Sequence, residues 1–178
     1  MRSDTMGEID KAVTITTTCC GDTVLDISPI LSDSELFKEA VNDMYQMYER
    51  EVFDIILTTK LSGTIFASAV ASKVGRGLVM FTCIGKDKEG YITKQIMGMH
   101  SKLTIGASEN SIKGASKAVV IVDELTHGRD VKAAIEMAES LGVQVIKISS
   151  FVEDSEVNAR KTVLKGYPLE SRLFTEDY

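Results

Sequence analysis

Residues 118 to 130, AVVIVDELTHGRD, constrain the fold more than any other stretch of the chain. An unbroken, largely β-branched apolar run ends in two adjacent carboxylates, Asp123 and Glu124, and then in a short polar turn containing a glycine. Such a run reads as a buried parallel strand that delivers both carboxylates to its carboxyl edge. After the turn, Val131, Ala134, Ile135, Ala138 and Leu141 recur at helical spacing, and Gly142 stands where a C-terminal glycine stops a helix. In open α/β sheets, ligands bind beyond the carboxyl ends of the strands, where a loop and a helix N-terminus offer backbone N–H groups to an anion. A carboxylate pair beside an anion site suits a ligand with both hydroxyls and a phosphate. Ribose 5-phosphate matches, its 2′ and 3′ hydroxyls donating to the carboxylates while the loop takes the phosphate. The same residues also admit a plainer reading, as solvated side chains at a strand end.

Strands and helices alternate along the rest of the chain, which predicts a parallel sheet flanked by helices. Residues 11 to 18 read as a first, threonine-rich strand. Ser32 and Glu35 have capping-box spacing, and Leu36, Phe37, Ala40, Val41, Met44 and Met47 mark the core face of a helix reaching about Arg50. Residues 53 to 58 form a buried strand, and Gly63 opens the next helix, whose apolar face carries Ile65, Phe66, Ala69, Val70 and Val74. A strand over 77 to 83 leads into a charged loop with a glycine at each end, residues 85 to 90. Residues 91 to 99 and 102 to 105 then pair as antiparallel strands. Residues 143 to 151 and 167 to 174 complete the sheet, with a short helix over 156 to 164 between them. The stripe of Met44, Met47 and Tyr48 predicts core or a dimer surface rather than a cofactor contact.

At 178 residues the chain reads as one domain, residues 1 to 178, long enough to bury a sizeable core. Its net charge of −6 argues against nucleic-acid binding, which needs basic surface to neutralise phosphates. No apolar stretch reaches the roughly 18 residues of a membrane span, and the N-terminus has no signal-peptide core, so no membrane partner and a cytoplasmic location are expected. The three cysteines, Cys19, Cys20 and Cys83, lack zinc-ligand spacing.

The stretch from 118 to 130 resembles the motif by which type I phosphoribosyltransferases bind 5-phosphoribosyl 1-pyrophosphate (PRPP): a hydrophobic strand, two acidic residues and a phosphate loop. Other segments carry the resemblance toward the adenine (purine) members of the family. Asp26-Ile27-Ser28-Pro29-Ile30-Leu31 is similar to their D-I-S-P segment. Residues 54 to 86 are similar to their strand, pyrophosphate turn, helix and following strand. Phe151-Val152-Glu153 and the polar segment with Arg160 fit their late region. In all, the resemblance covers about residues 24 to 178.

The resemblance implies an α/β fold with a central, mostly parallel sheet, a small hood and a flexible hairpin loop over the active site. It implies transfer of 5-phosphoribose from PRPP to a purine base, with pyrophosphate released and Mg2+ as cofactor, in a homodimeric salvage enzyme whose partners are PRPP and a nucleobase or nucleoside monophosphate. Asp123 and Glu124 would hold the ribose diol, with Lys86 as a further catalytic group. Thr126, His127, Gly128 and Arg129 would hold the 5′-phosphate, and Lys60, Ser62, Gly63 and Lys88 the pyrophosphate. Thr23, Leu25 and Val152 match the walls of the base site, and no residue is assigned as a metal ligand. His127 invites a proton-transfer role, or simply donates a hydrogen bond to phosphate.

Departures from the family pattern keep a second reading open, a noncatalytic PRPP- or nucleotide-binding regulator on the same fold. The phosphate loop is one residue shorter than usual and has a single glycine, with Arg129 and Asp130 following it. Ser62 replaces an arginine in the pyrophosphate turn, and Thr82, Cys83 and Ile84 stand where basic residues are usual. A third reading, a doubly wound protein of another family such as a small hydrolase, finds no G-x-S-x-G elbow.

Overall fold

The protein is described here by a computed structural model over residues 7–17, 23–59, 62–85, 88–98 and 101–177. In chain order these form α1 (Glu8–Ala12), β1 (Thr14–Thr17), β2 (Thr23–Asp26), α2 (Ser28–Ser32), α3 (Ser34–Gln46), β3 (Ile55–Thr59), α4 (Thr64–Val74) and β4 (Gly77–Cys83). The hairpin β5 (Tyr91–Met97) and β6 (Lys102–Ser108) follows, then α5 (Glu109–Ile112), β7 (Lys117–Leu125), α6 (Arg129–Ser140), β8 (Gln144–Glu153) and β9 (Leu169–Phe174). Seven strands make one sheet in the order β5-β6-β4-β3-β7-β8-β9, and β1 pairs with β2 in a separate antiparallel sheet. From β4 to β9 all neighbours are parallel; the β5–β6 hairpin is antiparallel and joins at β4. This is the mostly parallel, helix-flanked architecture that the alternation of elements predicts.

Covering both faces is what the apolar run of β7 is for. Val120 and Val122 belong to a core shared with Leu57 and with Val131, Ala134, Ile135 and Ala138 of α6. Val119 and Ile121 belong to the opposite core, with Ile56, with Met44 of α3 and with Phe66 and Val70 of α4. A strand's side chains alternate in direction, so consecutive residues feed different cores. Each fully buried aliphatic side chain contributes about 1.5–3 kcal/mol. Phe66 stacks on Phe151 with ring centroids 4.5 Å apart, which ties α4 to β8. Met44 and Tyr48 are enclosed in the same core, and the Tyr48 hydroxyl donates to the Val120 carbonyl at 2.8 Å. Burial pushes the Tyr48 phenol well above its ordinary pKa, so it serves as a structural donor.

Some boundaries differ from the sequence expectation for local reasons. Lys11 and Ala12 end α1 rather than open a strand, because the Asp10 carboxylate accepts from the Gly7 N–H at 2.9 Å and closes a helical turn. Asp33, not Ser32, caps α3: its carboxylate accepts from the N–H groups of Glu35 and Leu36 at 2.9 and 3.0 Å, which also holds its pKa down. Between β8 and β9 no α-helix forms. Asp154 accepts from the N–H groups of Glu156 and Val157, and Asn158 takes a left-handed φ of 54°, leaving only a 3-10 turn at Ala159–Lys161.

Candidate active site

At the carboxyl edge of the sheet, β4, β3 and β7 end side by side, and the β7–α6 loop and the β5–β6 hairpin rise around them. Together they enclose a cavity of about 940 Å³. Thr126, His127, Gly128, Arg129 and Asp130 line one side; Thr59, Phe81, Thr82 and Cys83 form the floor; Ile96, Met97, Gly98, Leu103 and Ile105 form the hairpin wall. Four predicted phosphate-loop residues are thus brought together at one cavity. Asp123 and Glu124 are not on its wall; they lie at the carboxyl end of β7, just before its last residue, Leu125.

Gly128 is where the loop becomes a helix. It is the N-cap of α6 with a left-handed φ of 66°, and an added Cβ would come within 3.1–3.2 Å of Leu164 and Ala159. Glycine is therefore required by both conformation and space. Having no side chain, it leaves the first N–H groups of α6 without a side-chain cap, so the positive end of the helix faces the cavity.

Gly63 plays the corresponding part at the β3–α4 turn. A Cβ there would lie 2.7 Å from the Thr59 carbonyl and 2.8 Å from Thr58 Oγ1, so only glycine lets the turn fold back this closely on the strand end. The same position lies 3.5 Å from Asp123 Oδ1. That oxygen is enclosed, yet among the described residues it finds no hydrogen-bond partner. An enclosed acceptor without a donor costs about 1–3 kcal/mol, which a ligand hydroxyl arriving at this spot would recover.

The hairpin is fastened to α6. Lys94 forms an ion pair with Glu136, whose carboxyl is held below its ordinary pKa by that ammonium, and Arg129 Nη1 donates to the Met97 carbonyl at 3.4 Å. Asp130, the second residue of α6, accepts a hydrogen bond of 2.8 Å from Thr59 Oγ1 across the cavity floor.

Other predicted residues fall elsewhere. Ser62 is exposed in its turn, and Lys88 is exposed with its ammonium 4.3 Å over the Tyr91 ring, away from the cavity wall. Val152 is 3% exposed and packed in the core beneath the site. Thr23 and Leu25 belong to β2, paired with Thr17 and Ile15 of β1. Lys60 and Lys86 lie outside the described residues. Among the described residues, no three His, Cys, Asp or Glu side chains come together in a way that could hold a metal ion.

Sequence reasoning missed the apolar hairpin wall and the Glu153–Arg160 pair. Alternation along β5 and β6 was a usable signal for the wall. For the pair there was none, since six residues without a regular helix or strand separate its members. Arg160 Nε and Nη2 donate to the two Glu153 carboxylate oxygens at 3.1 and 2.6 Å, and Arg160 Nη1 donates to the Leu169 carbonyl at 2.7 Å.

No protein-family model matches the chain. It is 31% identical over 153 residues to an adenine phosphoribosyltransferase of Acetivibrio thermocellus, a match covering 83% of this chain and 86% of that one. An adenine phosphoribosyltransferase of Thermotoga neapolitana is 29% identical over 148 residues, with 83% and 86% covered. Among solved structures, adenine phosphoribosyltransferase from Thermoanaerobacter pseudethanolicus superposes with a TM-score of 0.85 at 24% identity, over 94% of this chain and 98% of that one. The Giardia lamblia enzyme, complexed with 9-deazaadenine, gives a TM-score of 0.84 at 22% identity, over 96% and 98%.

Proposed function

Because this chain belongs to the adenine phosphoribosyltransferase family, we propose that it transfers 5-phosphoribose from PRPP to a purine base, adenine foremost, and releases pyrophosphate. The observation that carries this reading is the enclosed oxygen of Asp123 beside the Gly63 turn, which finds no donor among the described residues. It would accept from a ribose hydroxyl, with Glu124 next to it. Departure of pyrophosphate leaves positive charge on the ribose ring, and two carboxylates at the diol stabilise that charge electrostatically. Thr126 and His127 side chains, the Gly128 N–H and the Arg129 guanidinium would meet the 5′-phosphate. Lys60 and the backbone of Ser62 and Gly63 would meet the pyrophosphate, with Lys86 or Lys88 approaching from the charged loop. Thr23 and Leu25 would border the base. Hairpin closure would keep water from the cationic ring.

Magnesium would enter with PRPP, as a hard cation held by the substrate's oxygens, and the Asp123 carboxylate would add negative charge beside it. When bound it neutralises charge building on the leaving group. A cytoplasmic homodimer is part of the same proposal.

The composition of the cavity favours one second reading, a noncatalytic PRPP or nucleotide sensor. Among the described lining residues the only Lys or Arg is Arg129, set against Phe81, Ile96, Met97, Leu103 and Ile105. Incubation with PRPP, magnesium and each nucleobase in turn, followed by chromatography, separates the two. The expected result is a nucleoside monophosphate formed with adenine; calorimetric binding of PRPP without product from any base establishes the sensor.

Arg129→Ala tests the phosphate contact in either case. A charge-assisted guanidinium bond is worth about 1.5–3 kcal/mol, so the dissociation constants of PRPP and of a nucleoside monophosphate should rise together by about ten- to a hundredfold. The affinity of the free nucleoside should stay as it is. Unchanged calorimetric affinities for both phosphorylated ligands would make Arg129 a surface residue.

A further inference from the structure

Helix α6 presents its positive end to the cavity, and the residue that meets that end from within the chain is an acid. Asp130 sits in the first turn of the helix, lines the cavity and is held toward β3 by the Thr59 hydroxyl. Thr59 is itself 1% exposed, which makes this a fixed contact rather than a surface one. A phosphate docking on the N–H groups of α6 comes within a few ångströms of this carboxylate.

Among the described residues, the groups that could offset its charge are few. From the loop come His127 and Arg129, and the Arg129 guanidinium rests on the Met97 carbonyl of the hairpin. The end of β4 contributes Thr82 and Cys83, and the end of β7 contributes two further acids, Asp123 and Glu124. Two like-charged oxyanions at hydrogen-bond distance are stable only when they share a proton.

We propose that Asp130 sets the charge of the phosphate this site accepts: a 5′-phosphate binds as the monoanion, its P–OH donated to Asp130, and the dianion is disfavoured. The inference rests on the phosphoribosyl reading above and specifies the protonation state of its substrate. A phosphate monoester loses its second proton near pH 6. Affinity should therefore fall by about tenfold per pH unit above that point, because each unit removes the binding species tenfold.

The experiment is calorimetric titration of the whole chain with adenosine 5′-monophosphate and with adenosine, from about pH 5.5 to pH 8. Wild type, Asp130→Thr, Asp130→Asn and His127→Gln are compared. For wild type, the monophosphate should weaken steeply with pH while adenosine stays flat. Asp130→Thr should abolish most of that slope and bind the monophosphate at least about tenfold more tightly at pH 8. Asp130→Asn keeps an oxygen to accept from Thr59, so it reports the same effect should the threonine variant fold poorly. His127→Gln should retain the slope.

A flat wild-type profile overturns the assignment, and so does a slope that survives in both Asp130 variants. A slope lost in His127→Gln and kept in the Asp130 variants transfers the role to His127. If adenosine binds and the monophosphate binds neither wild type at pH 5.5 nor Asp130→Thr, the phosphoribosyl reading itself falls.

Discussion

The double replacement Asp123→Asn, Glu124→Gln is expected to abolish phosphoribosyl transfer while leaving the protein at least as stable as wild type. Each carboxylate that accepts from a ribose hydroxyl contributes a charge-assisted hydrogen bond of about 1.5–3 kcal/mol, so losing both costs on the order of a hundred- to ten-thousandfold in kcat/KM. Stability moves the other way. Among the described residues Asp123 Oδ1 is enclosed without a donor, so an amide at Asp123 removes the cost of a desolvated charge and its repulsion of the adjacent carboxylate. Steady-state kinetics paired with thermal melts reads both halves. An unfolded double variant would assign the pair to the fold. Nucleoside monophosphate binding as tight as wild type would place the ribose elsewhere.

Breaking the Glu153–Arg160 pair should have the largest effect on stability. The Glu153 side chain is 4% exposed and accepts from Arg160 and from the Ser171 hydroxyl, while Arg160 is 36% exposed at its side chain. Arg160→Met strands a buried carboxylate. Such single removals cost about 3–5 kcal/mol, and the partial exposure of Arg160 puts this one near the lower end. For a chain of this size about 3 kcal/mol corresponds to a fall in Tm of roughly 6–12 °C. The double variant Glu153→Gln, Arg160→Met should recover most of that loss, because no net charge is then left buried.

The consequence reaches the site. Arg160 fastens the 3-10 turn, and Ala159 in that turn and Leu164 just after it pack against Gly128. Loosening them should weaken the phosphate loop, so Arg160→Met should also bind PRPP less tightly at temperatures where it remains folded. A single variant with wild-type Tm by calorimetry would show the pair to be solvated and unimportant.

What could be read from the sequence about this fold and site was whatever depends on near neighbours in the chain. The β-branched run of β7 fixes a doubly covered strand, because consecutive side chains must enter different cores. Its carboxyl end carries Asp123 and Glu124, and the 3.6-residue spacing of Val131, Ala134, Ile135 and Ala138 places α6 after them. Gly63 and Gly128 were legible as turn residues, although the reason each must be glycine lies in the distances to Thr59, Ala159 and Leu164. Local capping was legible only in part: Ser32 had the right spacing, but the neighbouring Asp33 carboxylate is the stronger acceptor for the exposed amides of α3.

Everything that depends on which strand lies beside which was decided by tertiary structure. Thr59 and Asp130 are 71 residues apart, and they meet only because β3 inserts between β4 and β7. The hairpin joins at β4, and that edge position sets Ile96, Met97 and Leu103 against the phosphate loop. Glu153 finds Arg160 because the segment after β8 turns back over the sheet, a path closed by the left-handed Asn158 and the Asp154 hydrogen bonds. Periodicity specifies the face a side chain presents; the partner it meets there depends on crossovers whose sequence separation carries no local signal.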